Sequence, residues 1–508
     1  MLRAIDLVRI QSGINEEAAM NKTILKLVTA CVLTANSVVA LGAETVSFGD
    51  AQWSEGDVCA GFKVTALRSF DYLKSDVILL EHEKTGAEVI CIDNNDTNKT
   101  FELAFKTPLE DEKGLTHVLE HAVLSGSEKY PSSTLMTKLM LQTYNTFMNG
   151  NTFKYATAYP IASVSEDQLY ALAGYYMDSA FNPMFPNDTS VFDREAWRYE
   201  LGDAESQIRI TGTCYNEIKG LDTIGNAAYD NLMKALYPDS CSGNSKLGDN
   251  KEYLKMTNND LIDYHSKYYH PSNSLTVLYG DMDFERFLGL LDTYFSEYDK
   301  SEFAIDISAH SPTENYIEER FEYPVSADDK SGVYSIFAVE CPGADANELT
   351  ALEMAADIFN TDGSAVKRRL KETLPEANVT LAVSYYDSPE PLFIAVGSDL
   401  SENDAKVMAE TVTPALKDGG DIDDSLKNAA AAGLRRKKAV SFESASVGAD
   451  LAYDITQSWA VGDAQLCFDI LDSDVNTAAD SVGETVSKYF AEPSRSALVT
   501  TVPIPGAA

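Results

Sequence analysis

Positive charge is scarce in this chain. Its 508 residues carry 40 lysines and arginines against 79 aspartates and glutamates, a formal net charge of −39. That excludes nucleic acid as a partner, because phosphate binding rests on clustered Lys and Arg. Cysteine is sparse and unpatterned. The seven, at 31, 59, 91, 214, 241, 341 and 467, contain no C-x-x-C pair. Neither a disulfide framework nor a zinc ribbon is written in them. Long apolar runs are missing too. The mostly apolar stretch Leu27 to Leu41 is too short and too polar for a stable membrane span. Histidine is also rare: His82, His117, His121, His265, His270 and His310 are all there are.

What is present is a globular composition, 44% hydrophobic, on a chain longer than one ordinary domain. An acidic interior would attract basic peptides; a merely soluble acidic surface is the alternative. From Met20 the chain reads MNKTILKLVTACVLTANSVVALGAE. Lys22 and Lys26 precede the apolar stretch, and Val38, Val39, Ala40 and Ala43 offer small residues for cleavage. Residues 1–43 therefore read as a leader of bacterial secretory type, which implies a secreted or extracytoplasmic protein. A mitochondrial transit segment is the rival. Arg3 and Arg9 favour it; Asp6, Glu16 and Glu17 count against it.

Two of the six histidines stand together in GLTHVLEHAVLSGSEKYP, residues 114–131. On a helix, positions i, i+3 and i+4 share one face, so His117, Glu120 and His121 point the same way. Imidazoles at that spacing can grip one Zn2+, and a glutamate between them can hold and deprotonate a water. H-x-x-E-H is the inverted zincin pattern. A surface helix with two stray histidines is the bland alternative. A catalytic zinc takes three protein ligands, so a third must come from elsewhere. The segment SQIRITGTCYNEIKGL, 206–221, is a candidate. Ser206 to Tyr215 alternates like a strand, and Asn216 reads as the N-cap of a helix that starts at Glu217. Glu217 is then either a rigid ligand or a plain complement to the helix dipole. The residues alone leave both open.

The pattern of segments suggests an α+β fold of two domains. Strands are expected at 75–81, 87–93 and 99–106, and helices at 115–125, 166–180 and 283–298. Residues 50–308 form a first domain, with an antiparallel sheet and helices packed on one side. Residues 309–316 are a polar linker. Residues 317–505 repeat the strand–helix–strand–strand–helix order without an H-x-x-E-H of their own.

The segment 82–131 resembles the insulinase/pitrilysin zinc metallopeptidases, most of all their presequence-protease branch. The likeness continues in YNTFMNGNTFKYATAYPIAS (144–163), CYNEIKG (214–220) and LIDYHSKYYHPSNSLTVLYGDMD (261–283). The resemblance implies two homologous α+β domains that together make half of a clamshell. It implies one Zn2+ per chain on His117, His121 and Glu217, with Glu120 as general base. It places Asn149 and Gly150 at an edge strand that binds substrate by strand addition; an ordinary loop is the alternative there. The expected activity is endoproteolysis of short, unfolded peptides. A non-catalytic peptide-binding or structural subunit is the other reading, and relatives of that kind usually lose a ligand or the base. The sequence departs from the family where P-F-x-E-L is usual and this chain has Pro131-Ser132-Ser133-Thr134-Leu135. Relatives are about twice as long, and their far half holds the substrate with an arginine and a tyrosine. A complementary C-terminal half or a homo-oligomer is therefore an expected partner.

Overall fold

The computed structural model describes residues 46–48, 51–70, 73–202, 207–238, 240–303, 305, 307, 314–417, 421–462 and 464–506. The expected leader, 1–43, and residues 309–313 of the expected linker lie outside them. No described helix is long and apolar enough to cross a membrane.

Two mixed sheets carry the fold. The first holds β1 (Val58–Cys59), β2 (Phe62–Phe70), β3 (Ser75–His82), β4 (Glu88–Asp93), β5 (Lys99–Lys106), β6 (Asn145–Met148), β7 (Asn151–Thr152), β8 (Ala156–Ser163) and β9 (Ser274–Tyr279). Its order is β1-β2-β3-β4-β9-β5-β8-β6, with β7 also on β8. The second holds β10 (Tyr316–Val325), β11 (Val333–Glu340), β12 (Asn378–Ser384), β13 (Leu392–Leu400) and β14 (Ser496–Pro505), in the order β10-β14-β11-β13-β12. The expected strands at 75–81, 87–93 and 99–106 are β3 to β5. The expected helices are Leu115–Val123, Glu166–Phe181 and Phe284–Phe295.

Neither sheet is wholly antiparallel. In each, the last strand to arrive slots between two earlier ones and runs parallel to one of them: β9 to β4, and β14 to β10. Parallel neighbours need a long crossover rather than a tight turn. Hairpin signals in the sequence are blind to such a partner.

Each sheet is covered on one face by helices from its own half of the chain. Leu115–Val123, Glu166–Phe181, Asn258–Tyr268 and Phe284–Phe295 pack on Phe101, Leu103 and Phe105 of the first sheet. On the second sheet, Ala346–Asn360, Glu402–Lys417 and Val475–Ala491 pack on Phe337, Leu381 and Phe393. The opposite faces are covered by exchange. Helix Val447–Val461 crosses to the first sheet and sets Leu451, Ile455 and Trp459 on Ile90, Leu275 and Val277. Helix Ile224–Leu236 crosses to the second and sets Ala228, Leu232 and Leu236 on Ile336, Ile394 and Val499. Both faces of both sheets thus lose their apolar surface to solvent exclusion, which is the main drive for the arrangement.

One carboxyl is trapped in this exchange. Glu102 of β5 is fully buried under Val447–Val461, and Thr456 Oγ1 donates to its Oε1 at 2.6 Å. Its Oε2 has no partner among the described residues. Burial pushes the Glu102 carboxyl up to about 8; the Thr456 hydrogen bond pulls it down, and the charge of Asp454 adds to the rise. An exposed glutamate titrates near 4.5. Between these values the folded state holds a proton that the unfolded state has lost, so stability falls as pH rises through the window. Glu102→Gln removes that penalty. The stability of the variant relative to the parent should therefore grow between about pH 5 and about pH 9 in urea unfolding. A gap that stays constant with pH would contradict it.

Candidate metal centre

The helix Leu115–Val123 is fixed before it begins. Its N-cap, Gly114, has φ 69° and ψ 27°, a left-handed conformation suited to glycine. A Cβ there would also lie 2.5 Å from the Leu247 carbonyl oxygen. Val118, Leu119, Ala122 and Val123 are fully buried in the core. This anchors the helix and leaves His117, Glu120 and His121 on the face it presents to the site. The two imidazole rings stand 5.0 Å apart between centroids, at 83°.

Glu217 reaches them from helix Thr213–Leu221, but not as the sequence suggests. Ser206 of the expected strand lies outside the described residues; of the rest, Arg209–Thr211 forms a strand, paired with Arg198–Glu200. The helix begins at Thr213, and Asn216 donates its N–H to the Gly212 carbonyl at 3.0 Å instead of capping anything. Gly212 decides this. Its backbone lies so close to Ala196 that a Cβ would fall 2.0 Å from the Ala196 oxygen. Glu217 therefore sits within the helix. Cys214, Tyr215 and Ile218 lock that helix into the core.

The Glu217 Oε2 lies 3.5 Å from His117 Nε2 and 3.6 Å from His121 Nε2. Donors on a tetrahedral zinc, with bonds of about 2.0–2.2 Å, sit about 3.4 Å apart. The residues present fit the ion. Two buried atoms, Glu217 Oε2 and His117 Nδ1, lack a hydrogen-bond partner among the described residues. Burial would raise the Glu217 carboxyl, but the two imidazoles outweigh it and hold it below the usual range. A compact three-donor group also exists on His117, His121 and Cys214, with donor atoms within 4.8 Å of one another. The Glu217 oxygen lies at ligand spacing from both imidazole nitrogens, so Glu217 and Cys214 are both candidate third donors.

Behind His121 stands a residue that sequence reasoning missed. Glu195 Oε2 lies 3.6 Å from His121 Nδ1. Ser125 Oγ and Arg194 Nε donate to its Oε1 at 3.1 and 2.7 Å. Burial opposes the charge, but contacts with His121 and Arg194 hold this carboxylate down at about 2. A carboxylate on the far nitrogen of a ligating histidine fixes its ring and tautomer. No spacing rule points to Glu195; only the fold brings it there.

Glu120 turns toward another wall. Thr152 Oγ1 donates to its Oε2 at 2.9 Å. A Cβ on Gly150 would lie 2.4 Å from its Oε1. Asn149 and Gly150 join β6 to β7, and β6 is the outermost strand of its sheet. The Asn149 N–H donates to the Pro160 carbonyl at 3.1 Å, and its own carbonyl accepts from Tyr176 at 3.0 Å. What Gly150 supplies is room for the Glu120 carboxylate, not a left-handed turn.

Two family models match the chain. The family model for Insulinase (Peptidase family M16) matches residues 109–227, the stretch from the histidine helix to Glu217. A second model, Peptidase M16 inactive domain, matches residues 255–408. The chain belongs to the insulinase family. Within that family it is presequence-protease-like. Presequence protease 1, chloroplastic/mitochondrial, of Arabidopsis thaliana is 36% identical over 246 residues, covering 47% of this chain and 22% of that protein. Protein HypA of Clostridium perfringens is 31% identical over 337 residues, covering 65% of this chain and 34% of that protein. The chain thus spans about a third of the length of one of these relatives and less of the other. Among solved structures, pitrilysin superposes with a TM-score of 0.62 at 16% identity, covering 88% of this chain and 47% of that one. A Helicobacter pylori protease gives 0.64 at 15% identity, covering 83% of this chain and 98% of that one. At such identities the likeness speaks for the insulinase-type fold alone.

Gly150→Ala tests the Glu120 wall. The added methyl must displace the carboxylate while leaving the three donors untouched. Zinc content should stay at one equivalent, and turnover of a cleavable peptide should fall on the order of a hundredfold, as misplaced catalytic groups do. Unchanged turnover would refute the contact.

Proposed function

We propose that this chain is the zinc-bearing part of an endopeptidase for short, unfolded peptides. The observation that carries the reading is the placement of one Glu217 oxygen 3.5 and 3.6 Å from the two imidazole nitrogens of a helix that also bears Glu120. His117, His121 and Glu217 would hold the ion, with Glu195 orienting His121. Bound there, zinc supplies Lewis-acid chemistry: it acidifies water and polarises a peptide carbonyl. Thr152 holds Oε2 of Glu120, which leaves Oε1 for proton transfer. Glu120 takes the proton of the attacking water and returns it to the leaving amine. The outer edge of β6, beside Asn149 and Gly150, offers a peptide a strand to pair with. The chain's net charge of −39 suits basic peptides. A complementary half or a second copy would supply the opposite wall of the substrate chamber.

A non-catalytic subunit is the second reading, and the match of residues 255–408 to an inactive-domain model favours it. The presence of both histidines, the base and Glu217 favours the enzyme. The segment from Met20 supports export; the matched plant presequence protease, chloroplastic/mitochondrial by name, supports the organellar alternative. The N-terminus of the mature protein distinguishes them.

Two variants separate the roles in the site. Glu120→Gln should keep one zinc per chain and lower peptide turnover by about a hundred- to ten-thousandfold. Glu217→Gln should weaken zinc binding by more than about tenfold, since an amide brings no charge to the cation. Metal analysis and a fluorogenic basic peptide read both. Loss of zinc in Glu120→Gln, or unchanged affinity in Glu217→Gln, would overturn the assignment. A zinc-loaded parent that cleaves nothing, even with a complementary half added, would leave the non-catalytic reading.

A further inference from the structure

A cavity that shares no residue with the metal centre lies where three parts of the chain meet. The sheet strands β4 and β5 bring Glu88 and Lys106 to it, and the crossing helix Val447–Val461 brings Trp459. The segment after helix Phe284–Phe295 brings Phe303, Ile305 and Ile307. Its volume is about 210 Å3. Its lining is of two kinds, an apolar one from the rings and isoleucines and a polar one around Lys106. Such a division suits a ligand with an apolar body and one placed charge.

The polar part is held in place. Asn273 Nδ2 donates to the Lys106 carbonyl at 2.9 Å and to the Tyr268 carbonyl at 2.8 Å, which fixes the end of β5. Trp459 Nε1 donates to Glu88 Oε1 at 2.7 Å, which fixes the indole. Lys106 Nζ stands 4.5 Å from the centre of that ring. The ammonium is half-buried, and it makes no hydrogen bond or ion pair with any described residue. The chain has 79 acidic side chains against 40 basic ones, so carboxylate partners are plentiful. Glu88 is near, yet its Oε1 accepts from the indole and not from the ammonium. Burial pulls the Lys106 ammonium below the ordinary lysine range, and the charge of Glu88 does not make up the difference.

We propose that this cavity binds a small monocarboxylic acid with a compact apolar body, its carboxylate on Lys106 Nζ and its body against Trp459, Phe303 and Ile305. An ammonium–carboxylate hydrogen bond is among the strong ones, and it gives the stranded charge a partner. An apolar cavity of about 150 Å3 suffices for benzene, so this one admits a ring with a short acid chain. A free acid and the C-terminal carboxylate of a peptide share that chemistry; the volume favours the free acid. A ligand there touches both halves of the chain and so stabilises their association by mass action.

Isothermal titration of the full chain with phenylacetate and with its neutral amide, phenylacetamide, tests the site. The parent should bind the acid saturably at one site and the amide at least about tenfold more weakly. Lys106→Met keeps the length of the side chain and removes its charge, so it should bind the two compounds equally. Ile305→Phe fills the cavity and should weaken both. A short peptide ending in phenylalanine separates the two sources, and should bind the parent at least about tenfold more weakly than the acid. A parent that binds neither compound, or binds them equally, would overturn the proposal without any variant. A preference for the acid that survives Lys106→Met would place it on another cation, and undiminished binding in Ile305→Phe would place it outside the cavity; either overturns the site. A peptide that binds as tightly as the acid would overturn the free-acid assignment. Zinc content enters none of these readouts, so failure here leaves the peptidase reading standing.

Discussion

A carboxylate oxygen held between two imidazole nitrogens is the interaction on which this structure turns. Three donors on two helices must meet within a few tenths of an ångström of one geometry. One helix cannot do this alone. The i, i+4 spacing of His117 and His121 supplies two donors, and the third has to be delivered by the fold. Much of the molecule serves that delivery. Gly114 sets the entry of the first helix, and Gly212 sets that of the second through its close approach to Ala196. Glu195 then stands 3.6 Å behind His121, and Gly150 leaves space for the Glu120 carboxylate.

The second half of the chain has a part in this. Helix Thr213–Leu221 leads through Asp222 and Thr223 into Ile224–Leu236, the helix that crosses to the second sheet. Tyr323 of β10 donates to Asp222 at 2.8 Å, and Asn226 donates to the Leu221 carbonyl at 2.6 Å. The element that bears Glu217 is therefore tied to the second sheet at its C-terminal end. A half with no donor cluster of its own among the described residues thus helps to place Glu217 beside the two histidines of the first. The reciprocal crossing of Val447–Val461 onto the first sheet makes the two halves interdependent, since each leaves an apolar sheet face bare without the other.

How much of this was legible in the sequence follows from the range of each interaction. His117, Glu120 and His121 were legible because a helix turns sequence spacing into a common face. The resemblance of 82–131 and 214–220 carried Glu217. Its local setting was misread, because a three-residue strand and a glycine packed against a distant carbonyl look like a longer alternating strand. Nothing local to Ile224–Leu236 or Val447–Val461 names the sheet that receives each helix. Likewise nothing in the sequence of β9 or β14 names a parallel neighbour. Glu195, Cys214 and the role of Gly150 depend on contacts between segments far apart in the chain, which no periodicity reports.

The account stands on the donor set, and a crystal of the zinc-loaded chain tests it most directly. Anomalous scattering at the zinc edge should give one strong peak, about 2.0–2.2 Å from His117 Nε2, His121 Nε2 and a Glu217 oxygen, with Glu120 outside bonding distance. A peak bound by Glu120 in place of Glu217, or one away from the two histidines, would contradict it.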